Sequence, residues 1–351
     1  MIPTRTLILK TPCEFGIPDA TNFSIVDSTI DSSTLPSNGG LLLRALYFSA
    51  DPYLRSHVRS GRPSSISPGS PIRGFIAGKV EESTMSEWKK GDLFGASLPF
   101  STVQIVTSEV MKTTAFWKLT EYVTEDKLSL GVGVLGMPGA TAFGGLIDIL
   151  RPVKGETLLV TAASGAVGQL VGQLAKSKGC RVIGTAGGPE KCKILTEKFN
   201  FDASIDHKSA STPAQLEALI RAVAPEGLNM VFENVGTTTF ECAFKCLSNG
   251  GRIAVCGAIA AYNEKQDSIP LCSIDPMQMI YTNQRIEGFV CSPWLVGKRG
   301  DMEWLRVLSN GIKCGEIKIT ETIYEGIEKW SQAFSDLFTG TNNGKVVIRV
   351  Y

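Results

Sequence analysis

The 351-residue chain reads as an α/β protein, with a doubly wound parallel sheet of six strands and a separate β-rich region. Three observations predict this class. Short apolar segments alternate with helical patterns from Glu156 onward. The first of them runs straight into a glycine turn and an amphipathic helix. Upstream, the texture changes to short β-branched and aromatic runs separated by Gly, Pro and Ser.

In chain order, Thr4–Leu9, Leu41–Phe48, Phe75–Val80, Asp92–Ala96 and Thr102–Val106 are expected as strands of the β-rich region. Ser60–Pro71, rich in Gly, Pro and Ser, is expected as a loop. Leu128–Ile147 carries no charge and is about as long as a membrane span. Six glycines and Pro138 interrupt it, so it is read as a packed segment between domains, and no membrane partner is expected. The parallel strands are expected at Leu158–Thr161, Arg181–Thr185, Ala203–Asp206, Asn229–Glu233, Arg252–Cys256 and Arg285–Cys291. Pro189, and Pro213 behind the N-cap Thr212, mark helix starts between them. A helix near Ile327–Leu337 and a strand in Gly344–Tyr351 close the chain. A final strand returning to the first domain makes the second an insertion. The expected domains are 1–128 with 312–351, and 129–311.

The glycine turn carries the chemistry. Thr157-Leu158-Leu159-Val160-Thr161 is a short buried-strand pattern, and Ala163-Ser164-Gly165-Ala166-Val167-Gly168 follows as A-x-G-x-x-G. The next helix sets Val167, Leu170, Val171, Leu174 and Ala175 on one face. Gly165 lets backbone approach a phosphate, Gly168 lets the helix lie on the strand, and unpaired N–H groups face the anion. The unit is therefore a dinucleotide site. NAD-selective versions place an acid at the end of the second strand. Here that strand ends Gly184-Thr185-Ala186-Gly187-Gly188, and Lys191 follows in the first helical turn. A cation there opposes the helix dipole unless an anion lies between them. The pattern points to NADPH rather than NADH.

Bulk properties narrow the class further. The hydrophobic content of 43% and charged content of 20% suit a globular enzyme or binding protein. A net charge of +1 gives no reason to expect nucleic acid as a partner. Nine scattered cysteines make a poor disulfide framework and suit a reducing, cytoplasmic setting, and no signal peptide is read at Met1–Gly16. Zinc needs clustered ligands, yet the chain has two histidines, His57 and His207, far apart. Cys242 and Cys246 read as a buried thiol pair, and no metal site is expected.

Four stretches resemble the zinc-independent medium-chain dehydrogenases/reductases, specifically the prostaglandin reductase and plant alkenal double-bond reductase branch. They are Phe48-Ser49-Ala50-Asp51-Pro52-Tyr53-Leu54-Arg55, Gly136-Met137-Pro138-Gly139-Ala140-Thr141-Ala142-Phe143, the turn Ala163–Gly168, and Cys256-Gly257-Ala258-Ile259-Ala260-Ala261-Tyr262-Asn263. Phe232-Glu233-Asn234-Val235-Gly236 and Asn343-Gly344-Lys345 also fit, and Arg73-Gly74-Phe75 stands where zinc relatives hold Gly-His-Glu. The resemblance implies a GroES-like β domain built from both chain ends, an inserted Rossmann domain, and a site in the cleft between them. It implies NADPH-dependent reduction of the C=C bond of an α,β-unsaturated aldehyde or ketone. Quinone reduction on the same scaffold, or nucleotide binding without turnover, remain open alternatives.

By the same resemblance, the cofactor lies along Ala163, Ser164, Gly165, Ala166, Val167, Gly187, Lys191, Asn234, Cys256, Gly257, Ala258 and Ile259. Met137 and Thr141 border the nicotinamide, Asn343 faces it from the chain end, and His207 replaces a tyrosine at the 2′-phosphate. Tyr262 is the expected catalytic residue, through its hydroxyl or the nicotinamide ribose, and Tyr53 lies with it on the substrate side. Arg55 is expected to anchor its loop. A homodimer formed through an edge strand such as Arg285–Cys291 is also implied.

Overall fold

The computed structural model describes residues 1–265, 268, 270–297 and 302–351. Two compact units form, one from residues 1–137, 295–309 and 321–351, the other from 138–294 and 310–320.

The first unit is β-rich. Strands β1 (Ile2–Leu9) and β2 (Phe23–Ile30) form an antiparallel pair. A larger mixed sheet contains β3 (Gly40–Ser49), β4 (Arg73–Ser83), β5 (Leu93–Pro99), β6 (Val103–Thr107) and β7 (Phe116–Lys118). The sequence-based expectation missed β2 and β7. The first shows only partial burial and so no clean period-two pattern, and the second is three residues long. Late in the chain, β14 (Glu321–Glu325) and β15 (Lys345–Arg349) return to this sheet, giving the order β14-β15-β3-β4-β5-β7, with β6 also on β3. Helix Trp330–Thr339 secures the return. Trp330 stacks on Phe334 at 4.8 Å, lies 5.6 Å from Phe100, and donates its indole N–H to the Ser49 carbonyl at 3.1 Å. Such aromatic pairs contribute about 1 kcal/mol each beyond the area they bury.

The second unit contains β8 (Thr157–Val160), β9 (Arg181–Ala186), β10 (Ala203–Asp206), β11 (Leu228–Glu233), β12 (Leu247–Val255) and β13 (Arg285–Gly288). All pairings are parallel, in the order β10-β9-β8-β11-β12-β13. This is the doubly wound topology expected from the sequence. The chain steps outward from β8 to β10, then crosses back to β11, so a switch point lies between β8 and β11. Strand β13 stops at Gly288 rather than at Cys291, because the chain turns into helix Ser292–Leu295.

Two boundaries differ from the sequence reading. The break expected at 128/129 falls inside the helical stretch Glu125–Val132, whose Leu128 and Val132 are buried, and the first unit continues to Met137. The break expected at 311/312 is replaced by a double crossing. Residues 295–309 join the first unit, where Trp304 meets Trp117 at 6.3 Å and Ser309 donates to the Tyr122 carbonyl. Residues 310–320 join the second, held by two buried glutamines. The Gln169 amide exchanges hydrogen bonds with the Thr320 backbone at 2.9 and 3.2 Å. Gln173 does the same with Lys318 at 2.8 and 2.9 Å. Spaced one helical turn apart, the two amides offer the segment the donor–acceptor pattern of a strand edge.

The uncharged stretch 128–147 is two helices, Glu125–Val132 and Met137–Leu150, bent by 57° at their junction. Among the described residues, no single helix is long and apolar enough to cross a membrane.

Candidate dinucleotide site and active site

The glycine turn begins where β8 ends. Ala162 adopts a left-handed conformation (φ 47°), and the Ala163 N–H donates to the Thr185 carbonyl of β9 at 2.8 Å. Helix Gly168–Ser177 follows. A Cβ at Gly168 would lie 2.6 Å from the Ala163 Cα, so glycine is the residue that lets helix and turn close on each other. Leu170, Val171, Leu174 and Ala175 of this helix are buried, as the spacing predicts, whereas Val167 is only half-buried. Ser164, Gly165, Ala166 and Val167 keep partial exposure at the mouth of the turn.

Around the end of β9, cations gather. Gly187 lies against two side chains, since a Cβ there would meet Lys208 Cε at 3.0 Å and His207 Cε1 at 3.1 Å. The His207 Nδ1 lies 2.8 Å from the Ala186 carbonyl, which directs its Nε2 away from the backbone when Nδ1 carries the proton. Burial holds the Lys191 ammonium below the ordinary lysine range, and positive Lys208 adds to the effect. Asp206 is the acid of this region, yet its Oδ1 accepts from the Gly188 and Lys208 N–H groups and serves the loop. Lys208 was missed at the sequence level, although it adjoins His207. A half-buried lysine with a second, exposed lysine beside it fits a phosphate dianion, which relieves the cost that burial and Lys208 place on Lys191. Together with the tight Gly168 turn, the corner fits NADPH.

At the switch point, Thr161, Glu233 and Asn234 form one network. The Asn234 N–H donates to Thr161 Oγ1 and its side-chain amide donates to the Thr161 carbonyl, both at 2.7 Å. The fully buried Glu233 accepts at Oε1 from Thr161 Oγ1 (3.1 Å), the Val235 N–H (2.5 Å) and the Gly236 N–H (2.7 Å). Burial pushes this carboxyl up to about 7, against the pull of those donors. Glu233 was quoted in a motif but given no role by the sequence. The signal was an acid closing an otherwise apolar strand.

The loop 256–262 is stitched to the same turn. Cys256 and Gly257 donate their N–H groups to the Glu233 carbonyl at 2.9 and 3.1 Å, and Ile259 and Ala260 donate to those of Asn234 and Val235. This brings Cys256, Gly257, Ala258 and Ile259 beside Asn234. The Tyr262 hydroxyl oxygen accepts the Ala258 N–H at 3.3 Å and lies the same distance from where a Gly257 Cβ would stand. Burial raises the Tyr262 phenol above its ordinary value, and keeps the Cys256 thiol far up as well.

The remaining expected residues lie on other elements. Met137 and Thr141 are one turn apart on helix Met137–Phe143. In the first unit, Tyr53 meets His57 at 5.3 Å and Phe75 at 6.3 Å, in edge-on geometry. Asn343 is exposed, and its backbone exchanges bonds with Thr322 at 2.8 and 3.0 Å. The buried Arg55 donates to the Gly16 carbonyl at 3.1 and 3.3 Å, holding the 13–16 loop. No cluster of three or more His, Cys, Asp or Glu placed to hold a metal occurs among the described residues.

A doubly wound sheet with this glycine turn and cationic corner defines a nucleotide-dependent oxidoreductase. Comparison with known proteins agrees. Residues 5–114 match the family described as the N-terminal domain of oxidoreductase, and residues 166–306 match the zinc-binding dehydrogenase family. The chain is 36% identical to the 2-alkenal reductase (NADP(+)-dependent) of Nicotiana tabacum, covering 99% of this chain and 98% of that protein. It is 36% identical to prostaglandin reductase 1 of Rattus norvegicus (99% and 100%), and 36% to the NADPH-dependent curcumin reductase of Escherichia coli (strain K12; 95% and 94%). The crystal structure of CurA from Vibrio vulnificus in complex with NADPH superposes with a TM-score of 0.85 at 33% identity, over 99% of both chains. The chain belongs to the medium-chain dehydrogenase/reductase family, in its prostaglandin reductase and alkenal reductase branch. It is an NADPH-dependent oxidoreductase.

Proposed function

We propose that this enzyme reduces the C=C bond of α,β-unsaturated aldehydes and ketones. The observation that carries this reading is the placement of Tyr262: a half-buried phenol, raised above its ordinary value, on the same loop that is bonded to Asn234 and to the switch-point turn. NADPH, when bound, supplies the hydride that reaches the β carbon. Ala163–Val167 would hold the pyrophosphate, Gly187, Lys191, Lys208 and His207 the 2′-phosphate, and Asn234 with Cys256–Ile259 the nicotinamide half. The family resemblance assigns Met137, Thr141 and Asn343 to the cofactor as well, and Tyr53 to the substrate. Hydride arrival places negative charge on the carbonyl oxygen. Tyr262 donates its hydrogen bond there, and the enolate is then protonated at the α carbon.

Replacing Tyr262 by Phe removes one such donor, a loss of about 3 kcal/mol or roughly 100-fold in kcat. NADPH consumption across a panel of 2-alkenals and enones checks this, and full turnover in Tyr262→Phe would sink the role. The lack of a His, Cys, Asp or Glu cluster among the described residues supports a reaction without zinc, which metal analysis of active enzyme tests. No disulfide links the nine cysteines, which supports a cytoplasmic setting. Homodimerisation through β13 is supported by the exposed side chains of Val290, Ile280 and Tyr281.

A further inference from the structure

Glu233 closes β11 at the switch point, and three strand ends converge on it. Its carboxyl oxygen Oε1 binds Thr161, just past β8, and the 235–236 turn beyond β11. Its main-chain carbonyl takes two N–H groups from the start of the 256–262 loop, past β12. The second carboxyl oxygen, Oε2, is buried and finds no hydrogen-bond partner among the described residues. A carboxylate here would leave half its charge unpaired in an apolar site, whereas the neutral acid places a proton on Oε2 and keeps Oε1 as a carbonyl acceptor for all three donors. The titratable groups whose charges bear on it are the thiols of Cys256, raised by burial, and of the more exposed Cys272, also raised.

We propose that Glu233 is a positioning acid of the cofactor site. Uncharged, it ties the β8, β11 and β12 ends into the shape that receives the dinucleotide; ionised, it sets an unpaired negative charge behind the turn that receives the dinucleotide's phosphates. The affinity for NADPH therefore falls as pH rises through neutrality. This rests on reading the switch point as the NADPH seat. No bond to the cofactor is made by Glu233 itself. It acts through the turn residues it holds.

The test is NADPH binding, followed by nucleotide fluorescence from pH 5.5 to 8.5, in wild type, Glu233→Gln and Glu233→Ala. Glutamine stays neutral throughout and keeps the Oε1 acceptor. Wild type should weaken several-fold across the range, Glu233→Gln should hold its low-pH affinity to the alkaline end, and Glu233→Ala should bind at least tenfold more weakly at every pH. Contributions from His207 and from the 2′-phosphate are common to wild type and the glutamine variant, so the difference between them isolates Glu233. Infrared difference spectra of the nucleotide-free protein give a second readout: the carbonyl stretch of a protonated carboxyl group should fade across neutrality in wild type and be missing from Glu233→Gln. A glutamine variant with the wild-type pH slope, or a wild type whose spectrum shows no such band, overturns the proposal while leaving the reductase reading intact. Wild type that binds NADPH at no pH overturns both. If Glu233→Ala does not fold, the other two comparisons decide.

Discussion

Two buried carboxyl groups in this protein meet the same cost in opposite ways. Asp51 stays beside a cation: Lys345 Nζ lies 3.0 Å from its Oδ1 and also donates to the Ala50 and Val346 carbonyls at 2.8 Å, with both side chains nearly inaccessible. Replacing Lys345 by Met strands the charge of Asp51 and should cost about 3–5 kcal/mol, read as a fall in Tm that a second change, Asp51→Asn, largely reverses. Glu233 has donors around one oxygen and meets burial by holding its proton. Its folded value, about 7, exceeds the ordinary 4.5, so the native state keeps a proton that an unfolded chain releases. Its contribution to stability is complete below about 4.5 and is lost as pH rises through 7. Glu233→Gln should therefore equal wild type in denaturant stability near pH 4.5 and exceed it by up to about 3 kcal/mol at pH 8. In the cationic corner, Lys191→Ala or Lys208→Ala should each weaken NADPH roughly tenfold or more and leave NADH unchanged, because a hydrogen bond to a charged group is worth about 1.5–3 kcal/mol. Comparing Michaelis constants for the two nucleotides checks it, and an unaltered preference would remove that lysine from the phosphate site. Lys191 could be proposed from the sequence because it breaks a helix-dipole rule. Lys208 and Glu233 were not, since their meaning comes from neighbours distant along the chain.

At the scale of elements, the parallel strands were legible because burial on both faces writes continuous apolar runs, and their flanking prolines and Thr212 mark the helices. The edges were harder. Strands β2 and β14 are mostly half-exposed, so their side chains need not alternate cleanly. The glutamine pair on helix Gly168–Ser177 was also invisible. Gln169 and Gln173 look like surface residues in sequence, but both are buried, and each replaces a strand partner for segment 318–320. Substituting either by Leu leaves backbone groups of that segment without partners. Each change should cost about 1–3 kcal/mol and raise amide exchange at Lys318 and Thr320, with little effect on the mixed sheet of the first unit.

Over the whole molecule, β13 is an edge of the parallel sheet, with no strand paired to its outer side among the described residues. If that edge joins a second copy, light scattering should give twice the mass of the 37.7 kDa chain, and Val290→Lys should shift the mass toward the monomer. The strand order has another consequence, for synthesis. Strand β15 is made after every strand of the parallel sheet, yet it lies in the mixed sheet between β14 and β3, and β3 has waited since residue 49. On the ribosome the parallel sheet, complete by Gly288, emerges while the mixed sheet still lacks its closing strand. A ligand that binds the folded parallel sheet, as NADPH would, steadies that half-made chain before β15 arrives.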